Sequence, residues 1–138
     1  MRQAFHTLSV MTRGPGLFEF TDAAVQFVHD SGIENGLLTC FMRHTSASLL
    51  IQENADPDVQ KDLRDFFHWL ATSGPRVRHT AEGPDDMPSH IRSALTQTSI
   101  GIPLTRGRLA LGTWQGLYVF EHRDAPHRRE VMLHLLAD

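Results

Sequence analysis

Apolar residues along this chain recur with a period of two in some stretches and of nearly four in others, with glycine and proline between them. Residues 3–12, QAFHTLSVMT, alternate and predict a strand closed by the turn RGPG. Thr21 is placed to cap a helix over DAAVQFVHDS, with Ala24, Phe27 and Val28 on one face and Gly32 as its stop. Residues 36–43, GLLTCFMR, form a nearly continuous apolar run and predict a buried strand. HTSASLLIQEN follows, with a polar start and a second apolar run. Asp56 then caps a helix with Pro57 at its first position, and Val59, Leu63, Phe66, Phe67 and Leu70 share the face it should bury.

The second half is more broken. Residues 73–86 carry glycine and proline without apolar periodicity and predict a loop. Pro88 opens the helix PSHIRSALTQ, with Ile91, Ala94 and Leu95 expected to face inward. SIGIPLT predicts a short strand and TRG a turn. RLALGTWQGLYVFEHR predicts a long strand in which Gly112 and Gly116 mark a bulge or a close backbone approach, with Trp114 read as core. DAPH is a turn and RREVMLHLLAD a final strand. About seven strands and three helices make one α+β domain over residues 1–138, a mostly antiparallel sheet, curled or sandwiched, with the helices laid on it.

Composition narrows the function classes. A net charge of −3 lacks the basic surplus of nucleic-acid binders, so no nucleic-acid partner is expected. No run approaches a membrane span and the N-terminus has no signal-peptide core, so a cytoplasmic location without a membrane partner is expected. The single cysteine, Cys40, lies in the apolar run LLTCFM and reads as a small buried hydrophobe rather than a nucleophile. Histidine is the unusual component, with nine residues, and it is both the commonest metal ligand and the side chain that titrates near neutrality.

The densest chemistry is RHTAEGPDDMPSH, residues 78–90, which holds His79, Glu82, Asp85, Asp86 and His90 around a glycine and two prolines. If GPDDMP folds back, the helix beyond it presents His90 toward His79, and imidazoles with an open position suit a divalent transition metal. The bland alternatives are equally concrete: Asp86 caps the helix, and Asp85 beside it is a solvated neighbour. The spacing matches no standard zinc signature. HTSAS, residues 44–48, sets His44 before small hydroxyl residues that could approach an anion or form a plain turn. Gln115, Glu121 and Arg123 interrupt a strand otherwise built for burial. Arg123 could pair with Glu121 or grip phosphate through its planar fork.

HTSASLLIQENADPDVQKDL, RHTAEGPDDMPSHIRSAL and IPLTRGRLALGTWQGLYVFEHR, in this order and spacing, resemble the YjbQ family over nearly the whole chain from Leu8 onward. The segment LATSGPRVRHT departs from the pattern, since the family more often has an aromatic there. The resemblance implies a compact α+β fold, a homotrimer with sites near subunit contacts, a histidine-lined metal site and a thiamine-phosphate synthase activity acting on a small phosphorylated ligand. Carried onto this chain, it singles out His44, Thr45, Ser46, Ser48, His79, Glu82, Asp85, Asp86, His90, Gln115, Glu121 and Arg123.

The resulting expectation is that His44, His79 and His90 converge on one divalent metal, with zinc first. Glu82, Asp85, Asp86, Gln115 and Glu121 would orient ligands or move protons. Thr45, Ser46, Ser48 and Arg123 would bind substrate or phosphate, with Arg43 assisting a diphosphate leaving group. Imidazole ligands suit hydrolysis or lyase chemistry better than magnesium-dependent diphosphate displacement, so the synthase reaction would be a side activity. The competing class is a non-catalytic trimeric module that binds a metal or a phosphoester.

Overall fold

The computed structural model describes residues 1–74 and 76–138; Pro75, within the predicted loop, lies outside the described residues. Among the described residues the elements run β1 (Arg2–Met11), β2 (Gly16–Glu19), α1 (Thr21–Ser31), β3 (Gly36–Met42), β4 (Ala47–Glu53), α2 (Pro57–Thr72) and α3 (Asp86–Leu95). They continue as β5 (Ser99–Thr105), β6 (Arg108–Leu109), β7 (Gln115–Glu121) and β8 (Arg128–Ala137). All strand pairs are antiparallel. β1-β8-β3-β5-β6 form one sheet and β2-β7-β4 a second. No helix among the described residues is long and apolar enough to cross a membrane.

Strand alternation builds the layers. In β3, Leu38, Cys40 and Met42 point inward and are at most 2% exposed, while Leu37 and Phe41 point outward at 44% and 48%. Inward residues of β5 and β8 join them and meet Ala47, Leu49, Leu117 and Val119 from the three-stranded sheet, with Ala24 and Val28 of α1 closing the core. Cys40 is buried there, and burial pushes its thiol up to about 12, so it is an inert core residue. The other face of the three-stranded sheet carries Tyr118, Phe120 and His122, and α2 and α3 lie over it; Phe67 meets Phe120 edge to face with ring centroids 5.3 Å apart.

Several elements differ from their sequence reading. Thr21 is the first helical residue of α1 rather than its cap; its hydroxyl donates to Glu19 and accepts from the Leu117 N–H. The long strand at 108–123 is two strands separated by a loop, and Trp114 in that loop is 62% exposed rather than core. Gly116 does mark a close approach, since a Cβ there would come 2.8 Å from Glu19 Oε2. On α2 the Asp56 cap is as predicted, accepting from the Asp58 N–H at 2.9 Å. Its apolar stripe is wider than the sheet it covers, so Phe66, Trp69 and Leu70 remain exposed.

α3 departs furthest. It begins at Asp86, two residues before Pro88, and its buried residues are Asp86, Ser89, Arg92 and Ser93, while Leu95 is 56% exposed. Polar partners hold this face down. Ser89 Oγ donates to the His122 carbonyl at 2.7 Å, Arg92 Nη2 to the same carbonyl at 2.6 Å, and Ser93 Oγ to the Ala47 carbonyl at 3.2 Å.

Candidate metal centre

The β3–β4 turn, the end of β7, the start of β8 and the first turn of α3 meet at one end of the sandwich. Here His90, one turn into α3, projects beside Asp86 at the i, i+4 spacing that aligns side chains on one helical face. The preceding loop returns His79 and Glu82 to the same point, helped by Gly83, whose φ of +102° lies in the left-handed region that glycine adopts without strain. One ligand atom from each of His79, Glu82, Asp86 and His90 lies within 4.8 Å of all the others.

Asp86 is the hub. Its side chain is 2% exposed, with His79 Nε2 at 2.8 Å and His90 Nε2 at 3.1 Å from the same oxygen, Oδ2. The opposite oxygen, Oδ1, accepts from Arg123 Nη1 at 2.6 Å. Burial pushes the Asp86 carboxyl up, but the hydrogen bond to His79 and the charges of His90 and Arg123 outweigh it and hold the group below the usual carboxylate range. Asp85 is also lowered, chiefly by the Asp124 N–H and then by Arg123, against its own desolvation.

The geometry of His90 constrains its protons. Nδ1 lies 3.0 Å from the Thr45 carbonyl, which can only accept, so Nδ1 carries a hydrogen. In a neutral imidazole the other nitrogen then presents a lone pair, and that nitrogen faces the Asp86 carboxylate. A lone pair against a carboxylate is repulsive unless the ring takes a second proton or a cation sits between them. An imidazole oriented by a backbone carbonyl on its far nitrogen is the arrangement metal sites use to fix the ligating tautomer. The donor set of two imidazole nitrogens and two carboxylates therefore fits a divalent transition ion.

Other expected members are elsewhere. His44 is not part of the cluster: its Nε2 accepts the Glu130 N–H at 2.9 Å, so within one chain the lone pair that would bind a metal is taken. Desolvation and then the Arg129 charge lower its pKa, consistent with a neutral ring. Gln115 begins β7 while the cluster lies beyond its other end, about 20 Å away at 3.3 Å per residue. Its side-chain oxygen accepts the Gly112 N–H at 2.8 Å, so it shapes the 110–114 loop.

Glu121 is fully buried on the inward face of β7 and pairs with Arg129 rather than Arg123. Its oxygens also accept from Thr12 Oγ1 and from backbone N–H groups, a structural network in place of the expected catalytic role. Desolvation raises the Glu121 carboxyl, but Arg129 and Thr12 outweigh it and the net shift is downward.

The proposed anion binders are likewise engaged internally. Arg123 gives Nε to Asp85 at 2.9 Å, Nη1 to Asp86 and Nη2 to the Glu82 carbonyl at 3.1 Å, clasping the acidic loop to β7 instead of presenting a free fork. Ser46 accepts from Arg129 through both its carbonyl and Oγ. Ser48 is buried between Thr96 Oγ1 and His122 Nε2. Thr45 contributes its carbonyl to His90. Arg43 is half exposed and pairs with Glu130 at 3.4 Å. Of the twelve residues singled out, His79, Glu82, Asp86 and His90 converge, and Arg123, Asp85 and Thr45 hold them in place.

Sequence reading missed Arg129 and His122. Strand alternation in RREVMLHLL does place Arg129 inward with Val131 and Leu133, so that signal was present. His122 is 1% exposed with Nδ1 unpartnered, and burial followed by the Arg92 charge lowers its pKa to about 3, so it is a neutral packing group.

Comparison with known proteins agrees with this architecture. The family described as UPF0047 protein YjbQ-like matches residues 6–138. A UPF0047 protein of Synechocystis is 55% identical over 135 residues, covering 97% of this chain and 92% of its own length. The UPF0047 protein YjbQ of Escherichia coli is 41% identical over 118 residues, covering 85% and 86%. Among solved structures, an uncharacterized YjbQ/UPF0047 protein from Clostridium acetobutylicum superposes with a TM-score of 0.87 at 32% identity, covering 95% of this chain and 99% of that one. A hypothetical protein from Aeropyrum pernix superposes with a TM-score of 0.85 at 28% identity over both full chains. A shared three-helix, curled antiparallel framework and a match over nearly every residue lead to one conclusion: the chain belongs to the UPF0047, YjbQ-like family.

Proposed function

We propose that His79, Glu82, Asp86 and His90 hold a divalent transition ion, zinc first, and that the protein is a metal-dependent hydrolase of a small phosphorylated molecule. The observation that carries this reading is the orientation of His90, whose Nδ1–H goes to the Thr45 carbonyl and whose Nε2 is thereby offered into a carboxylate-rich cluster. Zinc bound there would act as a Lewis acid and lower the pKa of a bound water toward neutrality. Asp86, clasped by Arg123, keeps its Oδ2 edge aimed at the two imidazoles. Glu82, with a side chain 66% exposed and 3.6 Å from His79, is the carboxylate free enough to take up or release a proton at the rim.

Engagement of Arg123 argues against diphosphate displacement as the main reaction, because that chemistry needs a cation on the leaving group and this guanidinium already serves the loop. We keep thiamine-phosphate synthesis as a side activity. A homotrimer also belongs to the proposal: the outer face of the five-stranded sheet leaves Phe5, Leu37, Phe41 and Leu136 exposed, an apolar face suited to burial against another copy. A closed binding module, the other reading, is disfavoured by the exposed rim, since His79 and Glu82 leave room for an exchangeable ligand.

The test is metal content per chain after purification without chelator or nickel resin. Stoichiometric zinc that disappears in the His79→Ala/His90→Ala double variant, together with phosphoester hydrolysis lost in parallel, is the expected result. A wild type that takes up no ion on reconstitution overturns it.

A further inference from the structure

A cavity of about 330 Å³ opens between α3, α2 and the end of β7. Arg92 lines it together with Arg64 and His68 of α2, Phe120 beneath them, and Asp124 at the rim. Arg92 is 6% exposed, and its guanidinium makes one hydrogen bond, Nη2 to the His122 carbonyl at 2.6 Å. Nε and Nη1 have no acceptor among the described residues, and the guanidinium makes no ion pair there. They are not sealed in, because His122 Nδ1 is the one buried side-chain atom among the described residues that lacks both a partner and solvent contact. The remaining donors of Arg92 therefore open onto the cavity they line.

A buried guanidinium without a carboxylate partner is costly to hold. Asp124 and Asp85 act on Arg92 through their charge without an ion pair to it among the described residues, and Asp65 is already paired with Arg64 at 3.3 Å. Nη2 keeps a second hydrogen, and together with Nε–H or Nη1–H it forms one edge that matches one planar oxyanion. A singly charged carboxylate neutralises Arg92, whereas a dianionic phosphate would leave excess negative charge beside Asp124 and Asp65.

We propose that this cavity is a binding subsite for the carboxylate end of a small molecule, with Arg92 as its recognition residue and Phe120 as its apolar floor. None of the residues that line it belongs to the His79, Glu82, Asp86 and His90 cluster, so the proposal does not depend on that reading.

The experiment is a titration of the full chain with sodium acetate against sodium chloride at matched ionic strength, following the backbone amide cross-peaks of the lining residues Phe120 and His68 by NMR, with and without chelator. A saturable acetate shift, absent with chloride, unchanged by chelator and lost in a folded Arg92→Lys variant, is expected. Removing the rim charge with Asp124→Asn, an exposed position independent of the Arg92–His122 bond, should tighten the acetate response about threefold. No saturable shift with acetate, a response that survives Arg92→Lys, an unchanged response in Asp124→Asn, or a response to inorganic phosphate alone each overturns the assignment.

Discussion

His44 and His90 sit in neighbouring parts of the chain's chemistry and have opposite fates, decided by which nitrogen meets the backbone. In His44 the Nε2 lone pair is consumed by the Glu130 N–H; in His90 a carbonyl takes the Nδ1 hydrogen and Nε2 faces the Asp86 carboxylate. His44→Ala should accordingly retain bound zinc at wild-type stoichiometry, while His90→Ala loses it by at least tenfold in affinity, as read by competition with a chromogenic chelator. Zinc lost equally from both variants would return His44 to the ligand set. Glu121 makes a parallel case. Because it is buried against Arg129, Glu121→Gln should cost about 3–5 kcal/mol in urea unfolding by leaving a buried positive charge uncompensated. Loss of activity at unchanged stability would instead mark Glu121 as a catalytic group.

Among the elements, the strands were readable from the sequence because alternation alone assigns a face to each residue, and β3, β5 and β8 obey it. The end of α1 at Gly32 and the start of α2 at Asp56 were readable from their capping residues. α3 was not, because apolar spacing predicts only faces that bury carbon. Its inward face is chosen by the His122 and Ala47 carbonyls, which come from strands distant in sequence. The same holds for the site: the cluster at 79–90 is local and could be anticipated, whereas the exclusion of His44 depends on β8 arriving beside β3. Leu95→Gln, at a position expected inward and found exposed, should change stability by less than about 0.5 kcal/mol. Ser89→Ala, at a polar position found buried, should cost about 1–2 kcal/mol because the His122 carbonyl loses one of its donors. Thermal denaturation of the two variants side by side checks both values, and the reverse ranking would contradict the orientation of α3.

For the molecule as a whole, and apart from Asp86 in the cluster, acid sensitivity follows from two buried groups. His122 has its pKa lowered from 6.5 to about 3, so below pH 6.5 the unfolded chain takes up a proton that the folded chain refuses. Stability from this group is complete above pH 6.5 and falls by about 1.4 kcal/mol per pH unit down to pH 3. Glu121, with its pKa depressed, contributes stability that is present above the usual carboxylate range and lost as pH falls through its lowered value, steepening the decline at the acid end. Denaturant midpoints between pH 7 and pH 4 should show this slope, and His122→Gln should flatten it; an unchanged slope would assign the loss to other groups.

The Arg123 clasp bears on how fast an ion could come and go. One arginine from β7 ties the loop carrying His79 and Glu82 to the helix carrying Asp86 and His90, so the two halves of the donor set part only when that tie releases. Replacing Arg123 with methionine leaves every donor atom in the chain yet frees one half to swing away. Isotope exchange of bound zinc should then accelerate far more than the equilibrium occupancy declines, and lifetime, more than strength of binding, would be the property this arginine governs.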